Sequence, residues 1–123
     1  MRRWVKRLVF AAAGAGIVYA AFFGPLPFVR SWWQAGDDSW GDPLHKRHRI
    51  ADGLLLTGAL VGKSRTEIVA MLGEPTETNY FSEEWSLVYM LGSERGLFSI
   101  DSEWLAMRLD ITGAVTQAAI VKD

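Results

Sequence analysis

The sequence predicts an α+β fold in which two helices pack on a three-stranded antiparallel sheet (ααβββ), preceded by an N-terminal transmembrane helix. The prediction rests on an uncharged run near the N-terminus, helical spacing of apolar residues up to Leu72, and a period of two after Trp85. A chain of 123 residues has room for one small domain. We divide it into a cytoplasmic basic end with a membrane anchor or signal segment (1–29), a linker (30–43) and a folded domain (44–123).

The first predicted element is a membrane helix. The N-terminus carries four positive charges, at Arg2, Arg3, Lys6 and Arg7. The next 22 residues, 8–29, carry none. A helix over residues 4–24 would be about 31 Å long, close to the thickness of a hydrocarbon core. Because basic residues favour the cytoplasmic side, we expect a single-pass membrane protein whose C-terminal domain is exported.

The same segment also fits a signal peptide that is removed. Its apolar part is short and rich in Ala and Gly, and Val18-Tyr19-Ala20 has the small-residue pattern of a cleavage site. Phe22 and Phe23, just beyond that site, are more typical of the interfacial aromatic belt of an anchor. Both alternatives deliver the domain across a membrane, either anchored to it or released.

Residues 30–43 show neither helical nor strand periodicity and contain Gly, Pro, Asp and Ser, which predicts an extended linker. Trp32, Trp33 and Trp40 lie within it. Such side chains favour contact with the bilayer surface or with the domain over full solvation.

Two helices are predicted next. Pro43, with Asp42 as N-cap, can begin the first, and its apolar stripe ends near Gly58. That stripe comprises Leu44, His48, Ala51, Leu55 and Gly58. The second should begin at Ser64, since Ser64 and Glu67 have the spacing of a capping box. It should end at Gly73, ahead of Pro75.

Three strands follow, over residues 85–91, 104–111 and 114–121, because side chains there alternate with a period of two. Asp110 and Gly113 suit the hairpin turn between the last two strands. The helices must cover one face of this sheet, since neither a short helix nor a hairpin is stable alone in water.

Composition and charge exclude several classes of function. The chain has no cysteine, which excludes disulfides and thiolate chemistry. From Arg30 onward it carries nine basic against 14 acidic residues, which disfavours a nucleic-acid partner. Nucleophile–base and phosphate-binding motifs are absent, and we interpret Asp101 and Glu103 as capping or solvating groups. We expect no enzymatic activity and no cofactor.

A basic stretch lies in the first helix of the domain. His45 and His48 have a spacing that can share a metal, but no third ligand is near, so we expect no metal site. Lys46, Arg47 and Arg49 could instead face anionic headgroups, with a solvated helix face as the default alternative.

Four residues of the sheet are candidates for binding a protein partner: Trp85, Tyr89, Trp104 and Arg108. If Leu105 and Met107 face the helices, alternation places Trp104 and Arg108 on the opposite face. Aromatic residues beside an arginine are typical of binding hot spots. The alternative is that these aromatic residues fill the core.

The run from Gly62 to Pro75, Gly-Lys-Ser-Arg-Thr-Glu-Ile followed by Met-Leu-Gly-Glu-Pro, resembles the signature of the SmpA/OmlA (BamE-like) domain family. Residues 104–110, with Gly113 and Val115, resemble that family's strand, turn and final strand. The resemblance covers about residues 44–123 and implies an ααβββ module, a fold also similar to the β-lactamase inhibitor protein. The family's lipobox cysteine is absent here.

The resemblance implies a function in the bacterial cell envelope. Together with the N-terminal segment, it predicts a single-pass protein of the inner membrane with its C-terminal domain in the periplasm, or a periplasmic protein after signal cleavage. We expect a non-enzymatic, membrane-anchored, extracytoplasmic module that binds protein partners, as a scaffold in envelope or outer-membrane protein assembly. The alternative is an inhibitor or regulator of an exported enzyme.

Overall fold

The computed structural model describes residues 3–36, 44–96, 98 and 100–123, with side chains from residue 13 onward. It confirms an α+β fold with a three-stranded antiparallel sheet. The helices are α1 (Arg3–Phe23), α2 (Arg30–Ala35), α3 (Lys46–Thr57) and α4 (Arg65–Leu72). The strands are β1 (Leu87–Ser93), β2 (Ser102–Leu109) and β3 (Val115–Lys122).

The sheet has the order β1-β2-β3, with β2 in the centre. Tyr89 pairs with Leu105 across β1 and β2, and Met107 pairs with Ala118 across β2 and β3. The helices cover the face that carries Tyr89, Leu105 and Met107, and the main hydrophobic core lies between the two layers. Trp104 and Ala106 lie on the opposite face, as the alternation along β2 predicted.

Helix α4 begins and ends as predicted. The Glu67 amide donates to the Ser64 hydroxyl at 3.2 Å, and the Ser64 amide donates to the Glu67 carboxylate at 3.1 Å, which confirms the capping box. Gly73 follows the helix with a φ of 86°, a conformation that favours glycine. Ile68 and Leu72 are buried against the sheet.

Helix α3 begins later than predicted. Its first helical residue is Lys46, preceded by His45 in the left-handed conformation, and its C-terminal cap is Gly58 at a φ of 66°. The predicted start at Asp42 and Pro43 lies outside the described residues. Because α3 packs between the sheet, α2 and the end of α1, its buried surface is wider than the predicted stripe.

The predicted extended linker is wrong over residues 30–36, while 37–43 lie outside the described residues. Helix α2 packs into the core through Trp33, which is 1% exposed and donates from Nε1 to the Leu72 carbonyl at 2.8 Å. The Trp33 ring also meets the Tyr89 ring edge to face, with centroids 6.2 Å apart. The domain therefore includes α2, and one of the two alternatives for the tryptophans, contact with the domain, holds for Trp33.

Helix α1 is 21 residues long and ends at Phe23. From residue 13 onward its side chains are exposed, including Ile17, Val18, Tyr19 and Phe22. In the described part of the chain, no helix reaches the combined length and apolar character needed to cross a bilayer.

Candidate protein-binding face

The sheet face opposite the helices carries a second, smaller cluster of buried residues: Val88, Trp104 and Ala106. The segment between α4 and β1 covers it, because Phe81 packs on the Trp104 ring with centroids 5.8 Å apart. Tyr80 lies beside them, edge to face with Trp104 at 6.2 Å. A layer of loop aromatic residues therefore closes this face.

Trp104 is on the predicted face but is buried rather than exposed. Its Nε1 donates to the Asp123 carboxylate at 3.1 Å, and the Ser102 amide donates to the other oxygen of that carboxylate at 2.9 Å. Alternation along a strand determines which face a side chain is on, whereas its exposure here is decided by the loop that carries Phe81. Trp104 therefore packs beneath the loop aromatic residues, and its ring is not accessible to a partner.

Of the predicted set, Arg108 is exposed and Trp85 is half-buried, and the two side chains are in contact. The Arg108 guanidinium carbon lies 4.4 Å from the centroid of the half-buried Trp85 ring. Arg108 also donates to the Glu84 carbonyl at 3.0 Å and to the Gln117 side chain at 2.8 Å. These contacts hold the exposed Arg108 cation over the Trp85 ring.

Tyr89 does not belong to this face. It pairs directly with Leu105, and residues directly opposite each other share a face of the sheet, so Tyr89 points to the helices. Its hydroxyl donates to the Gly73 carbonyl at 2.8 Å. Burial raises the pKa of Tyr89 to about 12. The core alternative is therefore correct for Tyr89.

Sequence reasoning missed Tyr80, which is 59% exposed. It lies in a polar loop with no periodicity, and two adjacent aromatic residues, Tyr80 and Phe81, were the available signal. We name Tyr80, Trp85 and Arg108 the aromatic face. This surface combines an exposed aromatic ring with a positioned arginine, which is the composition of protein-binding hot spots.

The predicted headgroup-binding patch does not form as expected, because Arg47 is 7% and Arg49 is 3% exposed. The Arg47 guanidinium lies 4.1 Å from the Trp33 ring centroid and donates to the Met90 carbonyl at 3.1 Å. Lys46 is half-buried. Two of the three predicted cations are therefore held inside the protein.

Arg49 makes its contacts with the end of α1. Its Nε donates to the Gly24 carbonyl at 2.8 Å, and one terminal nitrogen donates to the carbonyls of Ala20 at 3.1 Å and Ala21 at 2.7 Å. The last carbonyls of a helix have no partner within the helix and carry partial negative charge. A buried arginine there satisfies them and is itself stabilised. In addition, the Leu26 amide donates to the Arg49 carbonyl at 2.9 Å. We name these contacts the α1–α3 joint.

Glu103 is buried, so its interpretation as a capping or solvating group is wrong. Arg95 donates to the Glu103 carboxylate from Nε, a terminal nitrogen and the backbone amide, and pairs with Asp52 at 2.6 Å. His48 lies 3.6 Å from the same carboxylate. We name His48, Asp52, Arg95 and Glu103 the polar cluster.

In the polar cluster, the charge of Arg95 is balanced by the carboxylates of Glu103 and Asp52. Burial alone would raise the pKa of Glu103, but the hydrogen bonds and the charge of Arg95 outweigh it and hold that pKa below its ordinary value. Hydrogen bonds with Asp52 and Glu103 likewise outweigh the effect of burial on Arg95 and raise its pKa. Burial dominates for His48 and lowers its pKa. The pair Glu103 and Arg95 is therefore charged and His48 is neutral near pH 7.

His45 and His48 meet edge to face with ring centroids 5.0 Å apart. Among the described residues, no group of three or more His, Cys, Asp or Glu side chains is placed to hold a metal ion.

Comparisons with known proteins add no relative: no family model, no curated protein and no solved structure matches the chain.

Proposed function

We propose that this protein is a non-enzymatic, membrane-anchored module that binds a protein partner outside the cytoplasm of a bacterial cell, as a scaffold of envelope assembly related to the SmpA/OmlA (BamE-like) domains. The observation that carries the proposal is the aromatic face. Tyr80 and the pair of Trp85 and Arg108 lie outside the main core, on the side of the sheet that none of the described helices covers.

The geometry of the aromatic face supports recognition of a protein. A few hot-spot residues supply most of the binding energy at protein interfaces, and tyrosine, tryptophan and arginine are enriched among them. Tyr80 rests on buried Trp104, and Arg108 is fixed by Glu84 and Gln117, so little side-chain entropy would be lost on binding. A preorganised surface of this kind binds without first rearranging.

The polar cluster supports a structural rather than a catalytic role for its carboxylates. Both oxygens of Glu103 accept hydrogen bonds from Arg95, and Glu103 is 4% exposed. A general base needs a free lone pair within reach of a substrate proton. The carboxylate is already occupied and has little access to solvent.

Membrane anchoring is supported by the apolar side chains of α1 from residue 13 onward, which remain exposed beside the described part of the domain. The α1–α3 joint favours retention of the segment over cleavage after Ala20. Arg49 donates to carbonyls on both sides of that peptide bond, those of Ala20 and Ala21. Cleavage there would break the hydrogen bond to Ala20 and separate the helix from its cap.

The first prediction tests the aromatic face in living cells. We expect a photoactivatable benzoylphenylalanine in place of Tyr80 to crosslink a discrete envelope protein, whereas the same group in place of Ile111, fully exposed at the β2–β3 turn, should not. Adding Arg108→Ala to the variant that carries benzoylphenylalanine at position 80 should lower the yield of crosslinked product at least about tenfold. That factor corresponds to ~1.4 kcal/mol of binding free energy. Mass spectrometry identifies the adduct.

The identity of the adduct decides between the two proposed roles. A membrane or barrel-assembly protein supports the scaffold, and a soluble exported enzyme supports the inhibitor. Equal crosslinking at positions 80 and 111, or none at either, contradicts a binding role for the aromatic face.

A further inference from the structure

An open cavity of about 460 Å³ lies beside the end of α1. One wall is the segment 25–28, and the other is formed by the C-terminal half of α3 with one residue of α4. Its principal apolar side chains belong to Pro25, Leu26, Phe28, Leu54, Leu56 and Met71. We name this cavity the apolar groove. Its volume falls within the range of roughly 300–1,000 Å³ that small-molecule sites occupy.

The apolar groove offers a ligand no polar side chain that lacks a partner. Thr57 is the polar side chain of its lining, and its hydroxyl already donates to the Gly53 carbonyl at 3.0 Å. A peptide in this groove would bring backbone amides and carbonyls whose desolvation no lining side chain offsets. A hydrocarbon chain brings no such groups and gains from the burial of its surface. The lining chemistry therefore favours hydrocarbon over peptide.

The wall that follows α1 is held in a defined position. A Cβ atom on Gly53 would lie 2.3 Å from the Leu26 carbonyl oxygen, so the two backbones touch there. The Leu26 amide donates to the Arg49 carbonyl, and Arg49 donates to the Gly24 carbonyl. The groove is therefore part of the same rigid contact that fixes α1 to α3.

The position of the apolar groove relative to α1 indicates where it would lie in a membrane. Pro25 lies two positions after Phe23, which is exposed, as is its neighbour Phe22. Leu56, at the rim of the groove, is 77% exposed. With α1 inserted, both Pro25 and Leu56 would lie near the boundary between headgroups and acyl chains.

We propose that the apolar groove binds an acyl chain of a bilayer lipid and so seats the domain on the membrane surface. The proposal rests on the membrane anchoring proposed above. Its consequence is that α3 lies against the bilayer, while the aromatic face, on the other side of the sheet, is directed away from the groove.

The absence of cysteine from the chain allows a site-specific test. The full chain, with single substitutions Tyr19→Cys, Leu56→Cys or Glu83→Cys, is labelled with bimane and placed in nanodiscs of phosphatidylcholine. Acyl chains are either unmodified or brominated, because bromine quenches a fluorophore only on contact. Tyr19 reports on α1, Leu56 on the groove, and Glu83 on the loop over the opposite face.

We expect brominated lipid to lower the fluorescence at positions 19 and 56 at least about twofold relative to position 83. Quenching at position 19 with none at position 56 overturns the groove proposal and leaves membrane anchoring in place. Absence of quenching at both positions overturns both proposals. Equal quenching at all three positions overturns the groove proposal, because brominated lipid would then reach a label that is far from the groove as readily as one beside it. All three side chains are exposed, so the substitutions should not affect folding.

Discussion

At the scale of single residues, His48 is the side chain whose ionisation should matter most. It is 1% exposed, and its Nε2 lies 2.8 Å from the Ser93 carbonyl oxygen. A carbonyl only accepts, so Nε2 carries the proton of the neutral ring. Nδ1 is buried and has no hydrogen-bond partner among the described residues. A second proton would have to enter at Nδ1, in a buried position with no acceptor in the described part of the chain, so burial lowers the pKa of His48 and the positive charge of Arg95 lowers it further.

The second prediction follows from that resistance. Burial lowers the pKa of His48 below its ordinary value of 6.5 in the folded state, so the unfolded chain binds the proton first as pH falls. The stability that neutral His48 provides is present in full above pH 6.5 and is lost as pH falls through the lower pKa of the folded state. Urea unfolding at about pH 7.5 and about pH 5.5 should show a decrease, limited to about 1.4 kcal/mol per pH unit for one proton.

The His48→Gln variant is the matched control, because the Gln side chain can still donate to the Ser93 carbonyl but does not titrate. We expect a smaller decrease over the same interval. Glu103 also has a lowered pKa, but its loss of stability begins below its ordinary value of 4.5, outside the interval tested. An identical pH dependence in wild type and variant would show that His48 is not the group responsible.

At the scale of elements, α2 makes the third prediction. Trp33 fills the core between α4 and β1, so Trp33→Ala should lower the free energy of unfolding by roughly 3–5 kcal/mol. Trp32, its neighbour, is exposed, and Trp32→Ala should change it by no more than about 0.5 kcal/mol. Chemical denaturation of the two variants measures the difference. If the two substitutions lowered the free energy of unfolding equally, residues 30–36 would not be part of the folded core and the predicted linker would be correct there.

Helices α4 and α2 also mark what local sequence can predict. Both ends of α4 are encoded by neighbours, since Ser64 and Glu67 cap its start and Gly73 follows its end. Helix α2 has six residues and no side-chain cap, and a helix that short depends on tertiary contacts. Its principal contact joins Trp33 to Leu72, 39 positions along the chain, which no local pattern reveals.

The candidate site was predictable in part for the same reason. A period of two placed Trp104 and Arg108 on one face of β2, and the structure confirms that placement. The same alternation could not predict how β1 pairs with β2, nor the path of the loop before β1. Register placed Tyr89 in the core, and the loop buried Trp104 and exposed Tyr80.

At the scale of the whole molecule, the α1–α3 joint makes the N-terminal helix an extension of the domain rather than a loose tether. A flexible linker would let the aromatic face sample many heights above a membrane. Here one residue, Gly24, separates the end of α1 from the segment that lies on α3. With α1 in a membrane, as proposed above, a partner bound at the aromatic face would be held near a defined distance from the bilayer, as the proposed scaffold role requires.

The fourth prediction concerns the retention of α1. Arg49 caps the carbonyls of Ala20, Ala21 and Gly24, so we expect the chain to remain whole and to stay in the membrane pellet after alkaline carbonate extraction. Mass spectrometry of the purified protein should show residues 8–29 joined to the domain. Arg49→Gln removes the charge and most of these donors, and this should expose the peptide bond after Ala20 and increase the cleaved, soluble fraction. The conservative Arg49→Lys keeps the charge and should stay closer to wild type. A wild-type protein that is already cleaved after Ala20 would contradict the anchor, because the joint would then hold only the stump of α1.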